Sequence, residues 1–214
     1  MRNQEEILSK YGINFTGTCF SYGNSKLPRT HMIINFQSAH DCVSRMLGLC
    51  KVQHCYAIKC ESLYKSYHLK NLFMQDFFQR AKIEDILALV DLYIERSPRK
   101  ITHIRFNEAG DFTPYTIKIA NEIAKHVKKY HIKCYGWTAR TDLDNLFAER
   151  EFILNASNEG MKNADRKFVC TPRKEFDALP LQLPRLTARC KGNCEICGIC
   201  YSRSRVHTVM CREH

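Results

Sequence analysis

Four thiols crowd one stretch near the end of the chain: Cys190-Lys-Gly-Asn-Cys194-Glu-Ile-Cys197-Gly-Ile-Cys200-Tyr201. Spacings of three, two and two residues put all four in a single tight loop. A zinc ion usually draws one Cys pair from each of two separated knuckles, because tetrahedral ligands must converge from opposite sides. A C-x2-C-x2-C run wraps one larger object instead, and ferredoxin-type [4Fe–4S] loops have this spacing. Gly192 and Gly198 let the backbone turn close to such a cluster and aim N–H groups at sulfur. The spacing predicts a [4Fe–4S] cluster, with a zinc knuckle or a set of reduced structural thiols as the alternatives.

The chain has 12 cysteines. No apolar run approaches the ~18 residues of a membrane span, and Met1-Arg-Asn-Gln-Glu-Glu lacks the apolar core of a signal peptide. The expected location is cytoplasmic, with no membrane partner. In a reducing compartment such a cysteine count points to metal or clusters rather than disulfides. It also exceeds what one four-thiolate site uses. Cys42, Cys50, Cys55 and Cys60 form a second dense patch. They either hold a second cluster, complete the first, or bind zinc. Cys19, Cys134 and Cys211 are read as packing or incidental residues.

Lys and Arg number 33 against 22 acids, a formal charge of +11, and the stretch from Met161 on carries eleven bases against five acids. A basic end of this kind favours nucleic acid or another polyanion. Part of that charge has a second use, because a thiolate-ligated cluster is anionic and benefits from nearby cations.

After a short polar helix and a Gly- and Ser-rich loop closing at Pro28, the chain alternates. His31-Met-Ile-Ile-Asn-Phe36 is an expected strand. Ile83, Ile86, Leu87, Val90 and Ile94 share one face of a helix that Pro98 ends. Ile101-Thr-His-Ile-Arg-Phe106 alternates like a strand, Asn107-Glu-Ala-Gly110-Asp111-Phe112 turns, and Thr113-Pro114 starts another helix. Further strands are expected at Ile132-Lys-Cys-Tyr-Gly-Trp137, Phe152-Ile-Leu-Asn-Ala156 and Lys167-Phe-Val-Cys170, with a short helix opening at Asp142.

Strand, helix, strand at this spacing indicates βα units and a parallel sheet. The expected fold is α/β: a partial parallel βα barrel of about five to six units over residues 1–171. Residues 172–214 form a Cys-rich, cluster-organised tail packed on it, because so short a segment rarely holds a core unaided. Residues just beyond the strands' C-terminal ends collect at one face, which gathers Glu108, Gly110, Asp111, Thr138, Arg140, Asn155, Ser157, Asn158 and Thr171. Asp111 has a blander role available as a cap that only stabilises its turn. No Walker loop, nucleophile elbow or Rossmann glycine fingerprint is present.

In order, several stretches resemble the phage gene product 88-like family, which is spread on phages and mobile elements. They run from about Asn24 to His214: Asn24-Ser-Lys26, then Cys42, Cys50 and Cys55-Tyr-Ala, Gly110-Asp111-Phe112, Trp137-Thr138, Cys170-Thr-Pro172, and Cys194-x2-Cys197-x2-Cys200-aromatic with a distal His207 or His214. The family pattern implies Cys170 as the fourth ligand of the terminal site, while Cys190 is the local choice. Cys-Tyr-Ala after spaced cysteines is also similar to the cluster loop of phage-borne radical-SAM proteins, which bind a [4Fe–4S] cluster after the first strand of a partial barrel. Their usual spacing is x3 then x2, against x7 and x4 here. Glu108 to Asp111 stands where that superfamily carries a turn gripping S-adenosylmethionine. Placed beyond the strand ends at the barrel mouth, Glu108 and Asp111 are expected to be catalytic and Gly110, Thr138 and Asn155 cofactor-binding. The expected function is therefore cluster binding, with radical or redox chemistry at the barrel mouth as the bolder form. The rival is a basic nucleic-acid-binding accessory protein with a structural metal.

Overall fold

The computed structural model describes residues 3–50, 55–158, 160–180 and 182–212. Eight strands make one sheet: β1 (Ser21–Tyr22), β2 (His31–Ile34), β3 (His103–Phe106), β4 (Lys133–Thr138), β5 (Ile153–Ala156), β6 (Arg166–Thr171), β7 (Thr187–Arg189) and β8 (Thr208–Arg212). Their order is β1-β2-β3-β4-β5-β6-β8-β7, an open run that does not close on itself. β1 is antiparallel to β2, and all other neighbouring strands are parallel. The chain is thus a mixed α/β protein on a mostly parallel sheet.

The described helices are α1 (Gln4–Ser9), α2 (Val43–Met46), α3 (Tyr56–Leu63), α4 (Lys65–Arg80), α5 (Ile83–Glu95), α6 (Pro114–His126), α7 (Arg173–Asp177) and α8 (Cys194–Cys197). α6 begins where its chemistry requires. Thr113 and Thr116 form a reciprocal capping box, and Pro114, which has no N–H to leave unpaired, takes the first turn. α4 and α5 make one crossover from β2 to β3, and α6 makes the next to β4.

Alternation along the strands sorts the sheet into two unlike faces. Met32, Ile34, Ile104, Phe106, Cys134, Leu154 and Ala156 join Met74, Phe77, Phe78, Ile86, Leu89, Val90, Ile117, Ala120 and Ile123 of α4, α5 and α6 in one apolar core. The intervening positions His31, His103, Arg105, Tyr135, Trp137 and Asn155 project from the opposite face. That face is polar and aromatic, and the C-terminal loop lies against it.

The strands expected at residues 31, 101, 132, 152 and 167 onward all form, each one or two residues different in extent. Residues 172–214 do more than lie on the sheet. β8 inserts between β6 and β7, pairing with both in parallel register. β7 is only three residues long and follows Pro184, so no local pattern announces it. Among the described residues, no helix is long and apolar enough to cross a membrane.

Candidate metal centre

The terminal thiol loop is built on short-range devices. Asn193 caps α8, its side chain accepting from the backbone N–H groups of Glu195 at 3.2 Å and Ile196 at 3.4 Å. Gly198, at φ +67°, then reverses the chain in the left-handed region, where a side chain is disfavoured. This wraps the backbone back so that the Tyr201 hydroxyl donates to the Cys194 carbonyl at 2.7 Å. The loop is seated on the polar face. The Tyr201 ring lies 4.6 Å from those of both His31 and His103, the first residues of β2 and β3. Asn155 donates through Nδ2 to the carbonyls of Gly136 and Cys200, each at 3.1 Å, tying the loop to β4 and β5.

Burial pushes the Cys200 thiol up to about 12, and Cys194, Cys190 and Cys197 each add to the shift. Cys194 is raised for the same reasons, by burial and then by Cys190 and Cys197. Cys194 and Cys200 therefore ionise readily only with positive charge beside them. Part of that charge is protein. Arg105 and Lys26 lower the Cys194 thiol, and Arg166 lowers Cys200. Arg166 is 2% exposed. Its Nη1 and the Arg105 Nε are buried without a hydrogen-bond partner. Arg105 also lies over the Trp137 ring at 4.6 Å. A site with crowded thiols and incompletely paired buried guanidinium groups fits an anionic thiolate-bound group.

Cys170 belongs to this neighbourhood, in company that the spacing did not suggest. It is the parallel register partner of Cys211, and their sulfurs are 3.1 Å apart. The Cys211 thiol is raised by that contact first, then by burial, with Cys190 and Cys200 adding further. Cys211, read from the sequence as incidental, is therefore a neighbour of the terminal thiols. Only the pairing of β6 with β8 reveals this. Cys19 and Cys134, in contrast, lie in the apolar core as expected. The His207 carbonyl accepts from the Lys167 N–H at 2.8 Å, which seats that residue beside β6. His214 lies outside the described residues.

The other thiol patch lies beyond the C-terminal ends of β2 and β3. Cys42 caps α2 and Cys55 caps α3. Burial pushes Cys42 up to about 11, with Asp111 and Cys50 also raising it. Residues 51–54 of this loop lie outside the described residues. Cys55 packs against Ala39, Ala57 and Ala109. Cys60 sits on α3 five positions after Cys55, an angular separation of about 140° on a helix.

Asp111 is 5% exposed. It joins three segments, accepting from Ser44 Oγ at 2.6 Å, the Ala139 N–H at 2.8 Å and the Phe112 N–H at 2.7 Å. Burial holds its carboxyl above the usual range, against those bonds. The helix cap is Thr113, so Asp111 acts instead as a buried tie between the thiol loop and the end of β4. Glu108 accepts from Asn24 Nδ2 at 2.5 Å and from the Tyr67 hydroxyl at 3.2 Å. Thr138 is buried at the end of β4, where its Oγ1 accepts from the Arg140 N–H at 3.0 Å. Glu108, Gly110, Asp111 and Thr138 thus gather at one mouth with Cys42 and Cys50, whereas Asn155 faces the terminal loop.

No protein-family model, curated protein or solved structure matches this chain.

Proposed function

We propose that this chain is an iron–sulfur protein in which Cys190, Cys194, Cys197 and Cys200 hold a [4Fe–4S] cluster against the polar face of a partial βα barrel. The observation that carries this is four thiols spaced three, two and two residues apart in one loop, beside the buried guanidinium groups of Arg105 and Arg166. Consecutive strand order from β1 to β6, with the crossover helices packed on one face, supports reading the open sheet as an incomplete barrel rather than a doubly wound fold. Spacings of three, two and two residues in one loop suit a cubane, which holds its thiolates on different irons, better than a single tetrahedral ion. Such a cluster supplies one-electron chemistry. Cys190 is favoured over Cys170 as the fourth ligand because Cys170 is engaged with Cys211.

A second thiol site at the mouth is the bolder part of the reading. Cys42 and Cys50 lie within electrostatic reach of each other and of Asp111, beyond the ends of adjacent β2 and β3. This order of thiol loop, strand and acidic turn is also what the resemblance to the gene product 88-like and radical-SAM proteins implies, with S-adenosylmethionine as the small-molecule partner. The net charge of +11 favours a polyanion as an additional partner.

Protein purified without oxygen tests the proposal. Iron, acid-labile sulfide and a broad visible absorption are expected; colourless protein with stoichiometric zinc overturns it. Cleavage of S-adenosylmethionine by the reduced protein supports the mouth site. Nucleic-acid binding that weakens linearly on a log–log salt plot, without such cleavage, supports the accessory role.

A further inference from the structure

A third group of ligands lies outside both thiol patches and contains no cysteine. His40, Glu61 and His68 bring one ligand atom each to within 4.8 Å of one another. They come from three segments: the loop after β2, α3 and α4. The two imidazole rings meet edge to face, with centroids 5.0 Å apart.

We propose that His40, Glu61 and His68 form an independent site for a divalent transition cation of the zinc type, bound by two imidazole nitrogens and one carboxylate oxygen. Glu61 is 2% exposed, an expensive place for a carboxylate unless it is satisfied. Its Oε1 accepts from the Ala39 N–H at 2.9 Å and from Asn71 Nδ2 at 2.7 Å. Its Oε2 accepts from Ser38 Oγ at 2.6 Å and, at the long distance of 3.4 Å, from the His40 N–H, and it lies 3.0 Å from His68 Nδ1. Burial works against the charged form, but these hydrogen bonds outweigh it and keep the carboxyl below its usual range. Three close donors around one buried carboxyl suit its anionic form, the form a metal ligand takes.

The bonds from Ser38, Ala39 and Asn71 orient the carboxylate, as outer-shell partners do in metal sites. The surroundings are braced in turn, with the Ser38 N–H donating to Gln75 Oε1 at 2.9 Å and Gln75 Nε2 to Asp41 at 3.0 Å. His68, Asn71 and Gln75 recur at helical spacing along α4, so one face of that helix supplies both a ligand and its supports.

A carboxylate has about four lone-pair positions; three take the close bonds from Ala39, Asn71 and Ser38, and the cation enters on the side facing His68 Nδ1, replacing the long His40 N–H contact. With bonds of about 2.0–2.1 Å, ligand atoms in a tetrahedral site stand about 3.3 Å apart. The 3.0 Å separation of Glu61 Oε2 and His68 Nδ1 is close to that. Binding through Nδ1 uses the His68 tautomer that carries its proton on Nε2. His40 lies at the exposed side of the group, so the remaining coordination position opens to solvent, as in catalytic rather than closed structural sites.

The test is cobalt titration of the full chain, because thiolate-bound cobalt shows intense sulfur-to-metal charge transfer and a nitrogen–oxygen site does not. Wild type is expected to take up one cobalt without that charge transfer, and zinc should displace it. His40→Ala removes an exposed side chain and should weaken this uptake tenfold or more, with iron, sulfide and thiolate-bound metal unchanged. Glu61→Gln, which retains the shape of the group, should weaken it likewise. Equal uptake by wild type and both variants overturns the proposal, as does loss of thiolate-bound metal instead of this ion in His40→Ala. Failure of the iron–sulfur reading is separate, since it appears as missing iron and sulfide in wild type whatever the cobalt result.

Discussion

Gly110 marks the tightest backbone approach at the mouth of the sheet. Its φ is +73°, and a Cβ there would lie 2.6 Å from Gln37 Cβ and 2.8 Å from the Gln37 carbonyl oxygen. Gly48 has a similar φ of +67°, but a Cβ added there would meet nothing within 4 Å. Gly48→Ala should therefore cost only the left-handed conformation, about 1 kcal/mol, and Gly110→Ala that cost plus a backbone collision, about 3 kcal/mol. Denaturant unfolding of the two variants checks this, and equal losses would remove the case for close packing at Gly110. His31 makes a different residue-scale prediction. Burial, then His103 and Arg105, hold its pKa down to about 3. Its Nδ1 lies 2.7 Å from the Tyr135 hydroxyl. Because the folded-state pKa lies below the unfolded one, the stabilisation is fully present above pH ~6.5 and is lost as pH falls toward about 3. Between pH 7 and 5 the folded state should lose about 1–2 kcal/mol through this ring. His31→Gln should flatten that part of the stability–pH curve, and an unchanged slope would contradict the assignment.

The elements differ in what holds them. α6 was legible because its cap, its proline and its apolar face at Ile117, Ala120, Ile123 and Ala124 all lie within one short window. α8 was legible only as a thiol spacing, and it buries little: Ile196 is 79% exposed. The loop around it depends on Asn155, Tyr201 and the Cys194 N–H to the Lys26 carbonyl, at 3.2 Å. Metal binding would then supply much of its order. Cys197→Ser, or removal of the metal, should speed hydrogen exchange across residues 190–201 and leave β2 to β5 protected as before. Protection of that loop unchanged by metal removal would contradict a metal-organised element. The Thr113 cap gives a plainer element-scale expectation. Thr113→Ala should lower stability by about 1 kcal/mol without changing metal content, as read by thermal unfolding and metal analysis.

At the scale of the whole molecule, β8 is the piece that makes residues 172–214 part of the sheet. It lies between β6 and β7, so a chain ending before Thr208 leaves both without their neighbour. Such a truncation should unpair β7, expose one edge of β6 and promote aggregation, while the core on α4, α5 and α6 persists. Limited proteolysis with mass analysis checks this, and a truncated chain as resistant as wild type from residue 166 onward would refute it. Strands β2 to β6, the amphipathic helices between them and the terminal thiol loop can be read along the chain alone. Those signals are local: a period of two, a period of 3.6, and a ligand spacing within one loop. That Cys211 meets Cys170, that Arg105 and Arg166 act on the terminal thiols, and that His40 joins Glu61 and His68 emerges only in the folded chain. Each of these is a meeting of residues from separate elements. Strand register and helix packing set such contacts, and no period or spacing along the chain encodes them.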